Sequence, residues 1–201
     1  AALLECMQEA AATVDGVRYR ISPAFTVLAT QNPVEFEGTY PLPEAQRDRF
    51  LMKIVIDYPA AADEASMLGA YAQGRRLHDE AVADLQPVMT RDELAASRRV
   101  IAQGVRVEQG IQTYILRIVT ATRQDESVQI GAGPRASLGL LEASRAMAAL
   151  RGRDFVTPDD VKEMAPPVLV HRVTLSPEAE MEGLVLDDLL KRVFESVEVP
   201  R

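Results

Sequence analysis

The sequence predicts the end of an α/β domain followed by an all-α bundle. Two short apolar runs bounded by turn signals, residues 25–30 and 51–57, are typical of buried strands. A tight hairpin is predicted at residues 12–21. After Tyr58-Pro59 the strong apolar patterns are all helical. We therefore predict two domains, an α/β part at 1–58 and a helical part at 59–201.

The hairpin prediction depends on one turn. Asp15-Gly16 suits both central positions of a two-residue turn, where φ is positive. Val17 and Tyr19 then alternate with arginines, which is the period of a strand. Ser22-Pro23 ends the second strand.

The helices are predicted from apolar spacing and from capping residues. Thr90 and Glu93 form a capping box, and Thr157-Pro158 with the acids after it marks another start. Residues 109–123 carry an almost ideal apolar stripe, and in the helix from Pro134 we expect Leu140, Met147 and Leu150 to face inward. The predicted helices are 1–11, 44–50, 61–73, 91–103, 109–123, 134–150, 158–165 (ending at Pro166-Pro167), a short one from 177, and 184–197.

Composition narrows the possible partners. The 201 residues have a net charge of −8, and neither predicted domain is basic, which argues against nucleic acid as the main partner. Cys6 is the one cysteine, so no internal disulfide forms and a cytoplasmic location is expected. No apolar run reaches the length of a membrane span or a signal peptide. Because residues 1–5 resemble the inside of a helix, we expect the chain to begin within a domain.

Asn32 is the first candidate for chemistry. It follows the apolar run 25–30, and ligands of open α/β sheets bind at the carboxyl ends of strands. Its side chain could orient a water or a phosphate there. The alternative is that Asn32 caps a turn, since Asn-Pro commonly starts one.

Two arginines are the other candidates. Arg49 follows Arg47-Asp48 beside a predicted strand, where a guanidinium would be held on a rigid element and could meet charge on a γ-phosphate. The alternative is a solvated helix face. Arg135 lies in the first turn of the helix from Pro134, against the helix dipole, which suggests a bound anion. His78 and His171 have no partners at ligand spacing, so no metal site is predicted.

Three stretches of the sequence resemble the MoxR family of AAA+ ATPases, and with the helices between them they cover nearly the whole chain. These stretches are LLECMQEAAATVDGVRYRI, FTVLATQNPVEFEGTYPLPEAQRDRF and IGAGPRASLGLLEASRAMAALRGRDFVTPDDV. The resemblance implies the C-terminal portion of an AAA+ P-loop α/β core (sensor-1 strand, β-hairpin insert and last core strand) followed by a helical lid.

The resemblance also implies roles for the candidates. Asn32 corresponds to sensor 1, which positions the attacking water. Arg49 corresponds to the arginine finger, offered to the ATP of the neighbouring subunit. Arg135 corresponds to sensor 2, over the ATP phosphates. Arg47 stands where the family usually has an apolar residue, which leaves open whether it shares the finger role.

The family binds ATP and Mg²⁺ through a phosphate loop and an acidic strand end, and this sequence contains neither. We therefore expect the chain by itself to bind ATP poorly and to hydrolyse none. For the whole protein the resemblance implies a hexameric ring that remodels or matures client proteins, often with a von Willebrand factor A-type partner. The alternatives are a non-catalytic protein-interaction module and a chelatase-type motor subunit that inserts a metal into a cofactor.

Overall fold

The regular elements are short strands and a set of packed helices. The structure, a computed structural model, describes residues 6–7, 9–22, 24–31, 42–75 and 85–200. The strands are β1 (Ala11–Val14), β2 (Val17–Arg20), β3 (Val128–Ile130) and β4 (Thr174–Leu175). The helices are α1 (Glu44–Arg47), α2 (Ala61–Ala72), α3 (Arg91–Gly104), α4 (Gln109–Gln124), α5 (Pro134–Leu150), α6 (Pro158–Leu169), α7 (Pro177–Met181) and α8 (Leu186–Ser196). Most of the predicted helix 1–11 lies outside the described residues.

The predicted hairpin is confirmed. β1 pairs antiparallel with β2, and Val14 faces Val17 at its closed end. Asp15 and Gly16 have φ of +50° and +79°, which is the backbone that a two-residue turn of this kind requires.

The two predicted buried strands are not formed by the described residues. Residues 24–31 and 52–60 have no regular structure, and Leu28 and Ile56 are 92% and 88% exposed. A buried strand takes its hydrogen bonds and its cover from neighbouring strands and helices, and the described chain supplies neither here. Instead, the Lys53 amide donates to the Pro167 carbonyl at 2.8 Å, which ties this segment to the helical part.

The hydrophobic core lies in the helical part, where α5 packs against α4 and α6, and α8 closes against α4. The stripe predicted on α4 is confirmed as its buried face. Its members are Ile111, Tyr114, Ile115, Ile118 and Val119. The capping box at the start of α3 is also confirmed: the Glu93 amide donates to the Thr90 hydroxyl, and the Thr90 amide donates to the Glu93 carboxylate at 2.7 Å.

Two details of the helices differ from the prediction. α6 continues through Pro166 and Pro167 to Leu169, because proline φ is compatible with a helix and the buried Val168 and Leu169 hold the last turn in the core. Leu150 is 83% exposed rather than inward, since it ends α5 beyond the buried stripe.

A small sheet was not predicted from the sequence. β3 pairs antiparallel with β4, with Val128 opposite Leu175. Strands of three and two residues are too short to show a period. The sheet holds the segment before α5 beside the segment after α6. None of the helices in the described part of the chain is long and apolar enough to cross a membrane.

Candidate functional site

Arg49 and Arg135 lie at the same cavity, although 86 residues of sequence separate them. The cavity has a volume of about 650 Å³ and opens to solvent. It is lined by Met7, Asp48, Arg49, Leu51, Arg135, Leu138, Gly139, Glu142 and Arg172. Asn32, the third predicted site residue, lies outside the described residues.

The position of Arg135 is set by the junction between α4 and α5. The Ala132 amide donates to the Thr122 hydroxyl at 3.1 Å, and Arg123 donates to the Ala132 carbonyl at 2.6 Å. Gly131 lies so close to α4 that a Cβ there would be 2.7 Å from the Arg123 Cα. α5 therefore starts from a fixed point, and Arg135 leaves its first turn toward the cavity, with about half of its side chain exposed.

The anion expected beside Arg135 is a carboxylate of the chain itself. Asp48 Oδ2 lies 3.6 Å from an Arg135 guanidinium nitrogen. Asp48 therefore compensates part of the charge of the cation in the first turn of α5. Any ligand phosphate that pairs with Arg135 would share the guanidinium with Asp48 or replace it.

Arg47 and Arg49 face different cavities. Arg49 follows α1, in a turn where its amide donates to the Gln46 carbonyl, and its half-buried side chain lines the 650 Å³ cavity. Arg47 forms a pair with Glu44 at 3.8 Å and lines a smaller cavity of about 190 Å³ with His171 and other residues. The larger cavity thus brings Arg49, and not Arg47, together with Arg135.

Arg172 is a residue of this site that the sequence reasoning missed. It lies just after α6, and its side chain is only 4% exposed. Its guanidinium donates to the Asp48 carboxylate and to the main-chain carbonyls of Asp48, Phe50 and Leu51. A signal was present in the sequence, because Arg172 interrupts the apolar run from Val168 to Val173, and charged residues inside such runs are almost always paired.

Burial changes the acid–base behaviour of two neighbouring side chains. Burial lowers the pKa of Arg172, an effect that the nearby Asp48 carboxylate opposes. Burial likewise lowers the pKa of His171, while its hydrogen bond to the Phe50 carbonyl favours the charged form and the Arg172 cation disfavours it. Because a carbonyl can only accept, His171 Nε2 carries a proton and donates to Phe50 at 3.0 Å. Both side chains thus hold the backbone beside Arg49.

Comparison with known proteins gives matches along almost the whole chain. Residues 1–52 match the family described as ATPase family associated with various cellular activities (AAA), and residues 120–193 match the AAA lid domain. The chain is 43% identical to the uncharacterized protein YeaC of Bacillus subtilis over 199 residues, and 38% identical to the chaperone MoxR1 of Mycobacterium tuberculosis over 209 residues. These alignments cover 99% and 100% of the chain.

The structural comparison agrees with the sequence matches. A crystal structure of a protein from Cytophaga hutchinsonii superposes with a TM-score of 0.86 at 35% identity, over 99% of the chain and 61% of that protein. The chain spans 60% of YeaC and 53% of MoxR1, so it corresponds to a little over half the length of its relatives.

Proposed function

The chain belongs to the MoxR family of AAA+ ATPases, and we propose that it is the sensor-and-lid part of a protein that couples ATP hydrolysis to the remodelling or maturation of client proteins. The observation that carries the proposal is the cavity shared by Arg49 and Arg135. Two guanidiniums converging on one cavity suit a group with several anionic oxygens, such as a phosphate.

In this proposal Arg49 is the arginine finger and Arg135 is sensor 2. The two roles, taken from the family, offer Arg49 to the ATP of a neighbouring subunit and Arg135 to the ATP phosphates. Because both side chains line one cavity, we propose that both reach the same phosphate group, which belongs to the ATP of the neighbouring subunit. Asn32 is proposed as sensor 1, which positions the attacking water. Phosphoryl transfer depends mainly on positioning and on stabilising charge, and these side chains can supply both.

The described residues fit the phosphates of ATP but not the whole cofactor. Arg49 and Arg135 can pair with phosphate oxygens, and a phosphate would compete with the Asp48 carboxylate for Arg135. The sequence has no phosphate loop of the form G-x-x-x-x-G-K-[ST]. We propose that the main binding residues for ATP and Mg²⁺ lie in the part of the protein that its longer relatives have and this chain does not include.

The remaining proposals concern the whole protein. A finger residue needs a second subunit, so we propose a homo-oligomeric ring, with a hexamer as the family's usual form, located in the cytoplasm. The match to a chaperone supports a client protein as the partner, with a von Willebrand factor A-type protein as one candidate. The exposed hairpin β1–β2 is proposed as a surface that contacts the client or a neighbouring subunit.

Replacing Arg49 by alanine in the full-length protein tests the proposal. Loss of an arginine finger removes charge stabilisation from the transition state, so we expect ATP turnover to fall by on the order of 10³-fold. Steady-state phosphate release measures it. Arg106→Ala is the matched control, since Arg106 is exposed and pairs with Asp154 rather than lining the cavity.

Arg47→Ala decides the question left open by the sequence. If Arg47→Ala causes the large loss and Arg49→Ala does not, Arg47 is the finger. Unchanged turnover in both variants would show that neither arginine serves hydrolysis and would refute the proposed role of this site.

A further inference from the structure

We propose that Arg172 is a positioning residue that sets Arg49 and Arg135 relative to each other. The proposal rests on the proposed function, because positioning matters for activity only if the two arginines act on a nucleotide. Arg172 lies in the connection after α6, where the lid contacts the segment that carries Arg49.

The hydrogen bonds of Arg172 bracket Arg49 on both sides. Before Arg49, the guanidinium donates to the Asp48 carbonyl at 3.1 Å; after it, the guanidinium donates to the carbonyls of Phe50 and of Leu51, the latter at 3.0 Å. A further bond reaches the Val168 carbonyl of α6 at 2.7 Å. The backbone on either side of Arg49 is therefore attached to the last turn of α6 through one side chain.

Asp48 extends the same arrangement to Arg135. Its Oδ1 accepts from Arg172 Nε at 3.1 Å, and its Oδ2 lies 3.6 Å from Arg135. One carboxylate is thus shared by a buried cation and a half-exposed one. Because Arg172 orients Asp48, and Asp48 attracts Arg135, the side chain at the start of α5 depends on Arg172 as well.

The surrounding packing leaves Arg172 little freedom. Gly139 of α5 faces it, and a Cβ at that position would lie 3.5 Å from Arg172 and 3.3 Å from the Leu51 side chain. His171 bonds the Phe50 carbonyl, and the Lys53 amide bonds the Pro167 carbonyl. Three consecutive parts of the lid, α5, α6 and the segment after α6, therefore hold residues 48–53 in place.

A planar guanidinium is suited to this role in a way that a lysine is not. Arginine presents five N–H donors in a fixed fork, whereas lysine offers three donors on a flexible stem. Arg172→Lys keeps the positive charge but cannot reach the carboxylate and the four carbonyls at once. A buried ion pair contributes little net stability compared with apolar packing. Stability alone therefore does not explain why an arginine is buried here, whereas the geometry that Arg172 imposes on residues 48–51 does.

Hydrogen exchange on the 201-residue chain tests the positioning directly. In Arg172→Lys we expect the amides of residues 44–53 to exchange about tenfold faster, as follows from loss of a hydrogen bond to a charged group. The amides of α4 should be unchanged. Arg192→Lys is the matched control: Arg192 is a half-exposed lid arginine that pairs with Asp125, and the substitution should leave both regions unchanged.

Two exchange results would overturn the proposal. Unchanged exchange at residues 44–53 would show that Arg172 does not hold this segment. Faster exchange throughout the bundle, α4 included, would show that Arg172 serves the stability of the whole lid and has no specific positioning role.

Turnover of the full-length protein tests the consequence for activity. Misplacing a reacting group by about 1 Å can cost roughly 10²-fold in rate, so we expect Arg172→Lys to lower kcat by about that factor while KM for ATP changes far less. In an Arg49→Ala background the same substitution should cost much less, because residues that act as a unit are non-additive. An equal loss in both backgrounds, or an unchanged kcat beside an impaired Arg49→Ala, would overturn the proposal.

The two proposals fail in distinguishable ways. If both Arg49→Ala and Arg47→Ala keep full turnover, the proposed function is wrong, and the positioning has no catalytic meaning whatever the exchange data show. If Arg49→Ala is impaired while Arg172→Lys behaves as wild type in both measurements, the inference about Arg172 alone is wrong.

Discussion

Two aspartates illustrate how the surroundings of a carboxylate decide its role. Asp48 lies at the cavity and shares its charge between Arg172 and Arg135. Asp160 is fully buried at the start of α6 and accepts hydrogen bonds from Arg153, Arg151 and the Thr157 amide and hydroxyl. Asp48 thus contacts two cations beside an open cavity, whereas Asp160 is saturated with donors and serves the helix.

Asp160→Asn should make the free energy of unfolding less dependent on pH in the acidic range. Burial raises the pKa of Asp160, but the Arg153 guanidinium and Thr157 outweigh it and lower the pKa from 3.8 to about 2. The ionised form is therefore worth about 2 kcal/mol above pH 4, and this contribution disappears as the pH falls from about 4 to about 2. Urea unfolding at several pH values measures it. We expect the stability difference between wild type and Asp160→Asn to narrow over that interval; a constant difference would contradict the assignment.

At the scale of elements, the link between α4 and α5 determines where the site can form. Two bonds from the end of α4 hold Ala132, and the close approach of Gly131 to Arg123 leaves no room for a side chain. β3, which lies within this link, pairs with β4 after α6. The start of α5 and the connection that carries Arg172 are therefore held by one small sheet and one helix end.

Gly131→Ala should destabilise the bundle. The added Cβ would lie 2.7 Å from the Arg123 Cα and 2.8 Å from the Thr122 carbonyl oxygen in α4, and overpacking of this kind costs about 1–3 kcal/mol. Thermal or urea unfolding followed by circular dichroism measures the change. Gly69→Ala is the control: the same methyl group on the exposed helix α2 meets nothing within 4 Å, so stability should be unchanged or slightly higher. Equal stability of Gly131→Ala and wild type would show that the link can move away from α4.

For the whole molecule, the distribution of apolar surface separates the two parts of the chain. A continuous core is formed by residues between Val105 and Val197, while large apolar side chains before it, those of the exposed helix α2 included, remain exposed. The exposed ones include Leu28, Ile54, Val55, Ile56 and Tyr58, each at least 71% exposed. All of these except Tyr58 belong to the stretches whose sequence predicts buried strands, so we expect the lid to account for most of the stability of the chain. The domain boundary after residue 58 stays a prediction.

Calorimetry of the 201-residue chain with ATP and Mg²⁺ tests the proposal that the main nucleotide-binding residues lie outside this chain. Arg49 and Arg135 offer two charged contacts but no phosphate loop, so we expect a Kd on the order of 1 mM or weaker, which is about 4 kcal/mol of binding free energy. A micromolar Kd would contradict this proposal, because binding that tight would require a complete phosphate-binding site within the chain. Arg135→Ala, as a comparison, should remove what binding there is.

Much of the lid and the hairpin could be predicted because their signals are local. The capping residues Thr90 and Thr157, the Asp15-Gly16 turn and the stripe on α4 act within a few residues of sequence. Arg49 and Arg135 could be selected from their motifs, and their roles stay predictions, as does that of Asn32.

The sequence by itself determined the family, the helices of the lid and the tight hairpin, since capping, turn and periodicity depend on neighbouring residues. Only the tertiary structure decided that Arg49 and Arg135 share a cavity and that Arg172 holds Asp48 beside both, because these contacts join residues as much as 124 positions apart. It also decided that the runs at 25–30 and 51–57 are mostly exposed in this chain. Apolar composition favours burial, but burial itself requires a partner surface, and no local pattern specifies where that surface lies.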